Sequence, residues 1–256
     1  MAEPATAFVA GATGYVGRAL VEELACRGAR VIAHVRPDSP DLTEWRSRFA
    51  ALGAGVSDAA WEPEAMAAAL AAYVPTHVFC LVGTTRARAR HARVPGESYE
   101  TVDYGLTQLL LDAAARLPTA PRFVYVSSVG THARARGAYL RARWRTEEAV
   151  HASGLPYTIA RPSLITGPDR PEQPRLERIG AWLLGPGLAW TRLFGGARWH
   201  DRYRPIDARE LAFGLAHAAF HFTTIDRALE GKELRYETAN DEEYWAPESR
   251  RDAERH

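Results

Sequence analysis

Two rhythms of apolar and polar positions alternate along the chain. Residues 5–10, Ala-Thr-Ala-Phe-Val-Ala, are nearly all apolar and β-friendly, as in a strand covered on both faces. From residue 14 to about residue 27 the period becomes helical, with Val16, Leu20, Val21 and Leu24 on one face and Gly28 as the stop. The exchange then repeats. Strands are predicted over 30–36, 54–58, 77–82, 122–128 and 157–162, and helices over 41–52, 64–73, 102–117 and 139–150. The long helix carries Leu106, Leu109, Leu110, Ala113 and Leu117 on one face, and Pro118 ends it. Regular alternation of strand and helix predicts an α/β fold built on a doubly wound parallel sheet. Beyond Pro162 the pattern loosens into Gly, Pro, Trp and Arg, and a helix over 208–220 follows with Asp207 as its expected cap. The expected division is a sheet domain over 1–162, a smaller irregular substrate-side lobe over 163–239 packed closely on it, and a charged, disordered tail over 240–256.

The first strand and helix are joined by Gly11-Ala12-Thr13-Gly14-Tyr15-Val16-Gly17. Glycines three apart give three things: a turn at positive φ, a backbone that an anion can approach, and close packing of helix on strand. The free amides and dipole at the helix start then favour a phosphate. This is the strand–turn–helix context of a dinucleotide site, so the doubly wound sheet is expected to be of the Rossmann kind. The second strand ends near Arg36, about twenty residues after the turn, where such folds read the adenosine ribose. A carboxylate there favours NAD; a guanidinium suits a 2′-phosphate, so NADP is expected and NAD less so. Asp58, ending the third strand, either caps the next segment or reaches the adenine.

Composition narrows the function further. With 256 residues and 46% hydrophobic positions the chain can bury a sizeable core. A net charge of +1 gives no global field for nucleic acid or an anionic membrane. The arginine run Arg86, Arg88, Arg90 and Arg93 has no interleaved aromatic residues, so it reads as a solvated loop or a lid that attracts an acidic substrate. No apolar run reaches the ~18 residues needed to span a bilayer, and residues 1–4 lack the character of a signal peptide. Cys26 and Cys80 fall in a helix and a strand, both expected to be buried, which suits a reducing cytoplasm. His217 and His221 have metal-compatible spacing but no third ligand, and no metal is expected. The expected partners are a small-molecule substrate and, at most, a second copy of the chain.

Ser128 ends the fifth strand, Tyr139 opens the next helix, and Arg143 lies one turn on, so Tyr139 and Arg143 share a helix face. Hydride transfer to a carbonyl needs a proton donor near the reacting oxygen. A phenol can serve when a neighbouring cation favours its phenolate form. Trp182, Trp190, Phe194 and Trp199 either line a substrate or pack the small lobe, and Arg134 and Arg136 flank the same edge.

These residues together resemble the short-chain dehydrogenase/reductases of the atypical, extended-like kind. The likeness rests on the glycine turn, Arg36, Ser127-Ser128, Tyr139-x-x-x-Arg143 and Arg161-Pro162-Ser163. Cys80-Leu81-Val82-Gly83-Thr84-Thr85-Arg86, Val102-Asp103-Tyr104 and residues 161–170 are similar to the Tat-interacting-protein oxidoreductases and their bacterial relatives. The resemblance implies cofactor contacts at Gly11, Thr13, Gly14, Tyr15, Val16, Gly17, Arg36, Thr84 and Pro162. It also implies a proton-relay pair of Ser128 and Tyr139, with Ser127 as the other register. It implies a lysine at 143, which bonds the nicotinamide ribose; this chain has Arg143, and its single lysine is Lys232. Arginine keeps the charge but is bulkier and forked. The expectation is therefore an NADP(H)-dependent oxidoreductase of carbonyl or alcohol substrates. The alternative is a non-catalytic NADP(H)-binding sensor or assembly protein.

Overall fold

The computed structural model describes residues 4–83, 99–166 and 202–235. Its centre is β1 (Thr6–Ala10), buried along its whole length. The alternation of side chains along a strand sends Ala7 and Val9 into one apolar cluster and Phe8 and Ala10 into another on the opposite face. Around β1 the chain lays down α1 (Tyr15–Cys26), β2 (Arg30–His34), α2 (Leu42–Ala51), β3 (Gly55–Ser57), α3 (Pro63–Tyr73) and β4 (His77–Cys80). There follow a π-helical segment (Tyr99–Gly105), α4 (Leu106–Ala115), β5 (Arg122–Val126), α5 (Ala138–Ala152), β6 (Tyr157–Arg161), β7 (Ile165–Thr166), β8 (Ile206–Asp207), α6 (Ala208–Phe220) and β9 (Arg227–Glu230).

The main sheet has seven strands in the order β3-β2-β1-β4-β5-β6-β9, every pair parallel. Leu20, Val21 and Leu24 of α1 and Leu211 and Leu215 of α6 cover one face. Met66, Leu70, Leu110, Leu111 and Val150 of α3, α4 and α5 cover the other. The chain runs outward from β1 to β2 and β3, then crosses back to β4 and proceeds the other way. That reversal opens a crevice at the carboxyl ends of β1 and β4, where ligands bind in open α/β sheets.

Three differences from the sequence expectations have physical causes. The expected helix over 102–117 is divided: Tyr99–Gly105 is π-helical and α4 begins only at Leu106. Thr107 Oγ1 donates to the Asp103 carbonyl at 2.7 Å, taking an acceptor one turn back from the backbone ladder. The second difference is β9, four residues long and charged at both ends, which pairs with β6 from Thr158↔Arg227 to Arg161↔Glu230. Within the described residues, the stretch 202–235 thus supplies an edge strand and the covering helix α6 to the sheet. Third, Cys26 is exposed and only Cys80 is buried. Asp207 caps α6 as its position suggested, accepting from the Arg209 amide at 2.8 Å while Glu210 reaches back to the Asp207 amide.

At the amino end of the central strand β4, His77 Nε2 contacts the Ala219 carbonyl at 3.0 Å, and its ring lies 4.3 Å from that of Phe220. Burial pulls its pKa down to about 4, Arg122 adds to the fall, and the Ala219 carbonyl opposes it. An unfolded histidine titrates near ~6.5. The unfolded chain therefore takes up the proton first. This contribution is complete above ~6.5 and is lost as pH falls toward 4, on the order of 3 kcal/mol in all. Urea midpoints at pH 7.5 and 4.5 should show a smaller acid loss for His77→Phe, because Arg122 Nη1 still donates to the Ala219 carbonyl. An unchanged loss would remove His77 from the account.

Candidate functional site

A cleft of about 470 Å³ opens at the reversal point. Gly11, Thr13 and Gly14 form one wall, Val35 and Arg36 the rim beyond β2, and Leu81, Val82 and Gly83 the floor after β4. Gly11 has φ +86°, and a Cβ there would sit 2.9 Å from the Leu81 carbonyl carbon. Its glycine is required twice over. A Cβ on Gly17 would collide with the Gly11 carbonyl oxygen, so α1 could not approach the turn. Gly14 is exposed at the head of α1, its amide donating to the Gly11 carbonyl at 3.0 Å. No side chain caps α1, and its first turn holds no acidic residue. A helix start left this way against a cleft attracts an anion.

Arg36 stands half-exposed on the rim, with Asp38 at 3.7 Å as a loose ionic neighbour. Ser39, Pro40 and Asp41 continue the rim toward α2. His34, Trp45 and Trp61 line the same end. His34 is anchored by the Ala59 carbonyl at 2.8 Å and packed edge-on against Trp61, with ring centroids 4.8 Å apart. Burial lowers its pKa, so at neutral pH it is an uncharged aromatic wall.

Of the other residues expected at the cofactor, Val16 packs into the core, Tyr15 begins α1 and Gly17 is buried in its first turn; none lines the cleft. Asp58 neither caps α3, whose cap position is Glu62, nor lines the cleft; it pairs with Arg46 at 2.8 Å. Pro162 is buried beyond β6, and its carbonyl accepts from the Val129 amide at 2.9 Å. Thr84, the arginine run over 86–93 and the four aromatic residues 182, 190, 194 and 199 lie outside the described residues. Arg134 and Arg136 are exposed.

On the far side of the floor, Arg143 is buried. Nη1 donates to the Tyr125 hydroxyl at 3.0 Å and to the Val126 carbonyl at 2.8 Å, and Nη2 pairs with Asp103 Oδ1 at 2.8 Å. Burial by itself would pull the guanidinium pKa down, but Tyr125, Tyr139 and Asp103 outweigh it and hold it well above its ordinary value. Burial pushes the Tyr125 phenol up to about 12. The Arg143 guanidinium lies 5.2 Å from the Tyr139 ring centroid, so Tyr139 and Arg143 do meet as their spacing predicted. Tyr99 packs edge-on against the same ring at 5.3 Å. Ser127 is buried and donates to Glu147 Oε1 at 2.5 Å. Ser128 is half-buried, and among the described residues its hydroxyl makes only a 3.4 Å contact with the Val129 carbonyl.

The model of the family described as NAD(P)H-binding matches residues 11–180, from the glycine turn past β7. The chain belongs to that NAD(P)H-binding family. A curated relative, the chloroplastic protein TIC 62 of Pisum sativum, is 32% identical over 183 residues, covering 64% of this chain and 33% of its own length. This chain thus corresponds to about a third of that relative. Leucoanthocyanidin reductase of Vitis vinifera, solved with NADPH, superposes with TM-score 0.62 at 16% identity, over 87% of this chain and 67% of that one. UDP-glucose 4-epimerase of Brucella ovis, solved with NAD, gives 0.59 at 17% identity, over 86% and 74%. At these identities the likeness is one of fold.

The residues present fit the family's cofactor. The uncapped start of α1 suits a pyrophosphate, and a Cβ on Gly17 would strike the backbone of the turn that such a group approaches. Among the described residues no helix is long and apolar enough to cross a membrane, and no group of three His, Cys, Asp or Glu side chains could hold a metal ion. Sequence reasoning had given no role to His34, Ser39, Trp45, Trp61, Asp103 or Glu147. Asp103 lay in a stretch already marked by its family likeness, but nothing in its local pattern named Arg143 as its partner.

Proposed function

We propose that this member of the NAD(P)H-binding family binds NADP(H) and interconverts a small carbonyl substrate and its alcohol. The observation that carries the cofactor half is the uncapped amino end of α1 in a cleft whose rim ends in Arg36. In this reading Gly11, Thr13, Gly14 and the first amides of α1 hold the pyrophosphate, and Arg36 with Ser39 holds the 2′-phosphate. The bound nicotinamide supplies or accepts the hydride. Tyr139 exchanges a proton with the substrate oxygen, and Ser128 hydrogen-bonds that oxygen. Support for Ser128 over Ser127 is that the Ser127 hydroxyl is already donated to Glu147 in the core. Arg143 contributes a fixed positive charge beside Tyr139.

The cofactor choice has a direct test by nicotinamide fluorescence. A charge-assisted bond is worth about 1.5–3 kcal/mol, so Arg36→Ala should weaken NADPH about tenfold to a hundredfold and leave NADH unchanged. Tighter binding of NADH than of NADPH by the unaltered protein would overturn the assignment of Arg36.

One observation favours a second reading, a non-catalytic NADP(H)-binding sensor. Arg143 donates to Tyr125 and Val126 and pairs ionically with Asp103, all within the protein. Consumption of NADPH with a panel of aldehydes, ketones and quinones separates the two. Turnover supports the enzyme. Binding without turnover, with activity appearing in Arg143→Lys, supports the sensor.

A further inference from the structure

We infer that Asp103 is a positioning residue for Arg143, and that the missing side chain at Gly83 is the space into which Asp103 sets the guanidinium, so that the two make Arg143 part of the cofactor cleft. The inference rests on the NADP(H) binding proposed above. Asp103 is wholly buried, on the π-helical segment, 40 residues along the chain from Arg143. Its Oδ1 lies 2.8 Å from Nη2, while Nη1 is tied to the Tyr125 hydroxyl and the Val126 carbonyl. Two hydrogen bonds from Nη1 and the ion pair at Nη2 hold the guanidinium from two sides, a placement an exposed arginine would not keep.

The place where it is fixed matters. Gly83 is exposed on the floor of the cleft, and a Cβ there would collide with Arg143 Nη2. The guanidinium therefore lies directly against Gly83 of the cleft floor, where any side chain would have to displace it. Asp103 Oδ1 would also lie 3.3 Å from that Cβ, so the pair and the glycine form one fitted unit. Arg143 Nε, meanwhile, is buried and has no hydrogen-bond partner among the described residues. Without Asp103 the charge would be uncompensated and the guanidinium would turn toward water. Asp103 thus acts on the cofactor only through Arg143.

A double-mutant cycle on the full chain tests this, with NADPH affinity from nicotinamide fluorescence as the readout and melting temperature beside it. Asp103→Asn should weaken NADPH about tenfold when Arg143 is present and less than twofold when Arg143→Met has removed the guanidinium. Gly83→Ala should behave in the same way, and it carries the test if Asp103→Asn does not fold. Equal weakening in both backgrounds would make Asp103 a structural residue and Gly83 a direct cofactor contact, and would overturn the inference while leaving NADP(H) binding intact. Failure of the unaltered protein to bind NADPH would instead overturn the reading on which the inference stands.

Discussion

Tyr139→Phe is expected to lower NADPH turnover with a carbonyl substrate by about 10²–10⁴-fold while leaving NADPH affinity within about twofold. The substitution removes one oxygen and keeps the ring. That ring is what holds the residue in place, edge-on to Tyr99 at 5.3 Å and 5.2 Å from the Arg143 guanidinium carbon. The packing of α5 on the π-helical segment also survives, since it draws on Arg145 over the Tyr104 ring at 4.2 Å. A change confined to the proton donor should appear in kcat and not in cofactor binding. Ser128→Ala should follow in the same direction, because it removes a hydroxyl that is not committed to the core. Turnover within tenfold of the unaltered protein for Tyr139→Phe would take the proton from this residue. Unchanged binding with no turnover in either protein would move the balance to the sensor.

The parts of this molecule that were legible in the sequence are those where local pattern and tertiary role agree. β1 reads as a buried strand because all five of its residues are buried. Gly11 and Gly17 read as a dinucleotide turn because a side chain at either would strike backbone, a constraint that local spacing records. Arg36 was legible because strand length alone carries the chain to the rim. What could not be read depends on partners far along the chain. β9 has no alternation to mark it and exists because β6 offers an open edge. Asp103 resembles any helical acid until α5 brings Arg143 against it. Asp58 reads as a ligand or a cap, yet Arg46 of α2 claims its carboxylate. Glu147 sits in the polar run Arg145-Thr146-Glu147-Glu148, where nothing distinguishes the buried carboxylate from the exposed one beside it.

That buried carboxylate is the basis of the largest expected loss of stability. Glu147 is fully buried, and it accepts from Ser127 Oγ at 2.5 Å and from Arg161 Nε and Nη2 at 3.0 and 2.5 Å. The hydrogen bond that Arg161 donates to Glu147 is the largest cause of its raised pKa. Arg161 also reaches Glu230 of β9 at 3.0 Å, and Glu230 in turn holds Arg202 at 2.8 Å. Glu147→Leu removes the central anion and leaves a largely buried guanidinium with one partner at the sheet edge. Breaking a buried pair from one side costs about 3–5 kcal/mol, because the remaining charge loses its compensation. The second substitution separates that penalty from the worth of the pair itself. Adding Arg161→Met should recover most of the loss, since Glu230 keeps Arg202 and the core gains two apolar side chains of similar size. Equilibrium urea unfolding of the unaltered, single and double variants reads both quantities. A single variant within about 0.5 kcal/mol of the unaltered protein would mean that water or rearranged neighbours compensate Arg161. A double variant no better than the single would mean that Glu147 stabilises the carboxyl ends of β5 and β6 through Ser127 rather than through its charge.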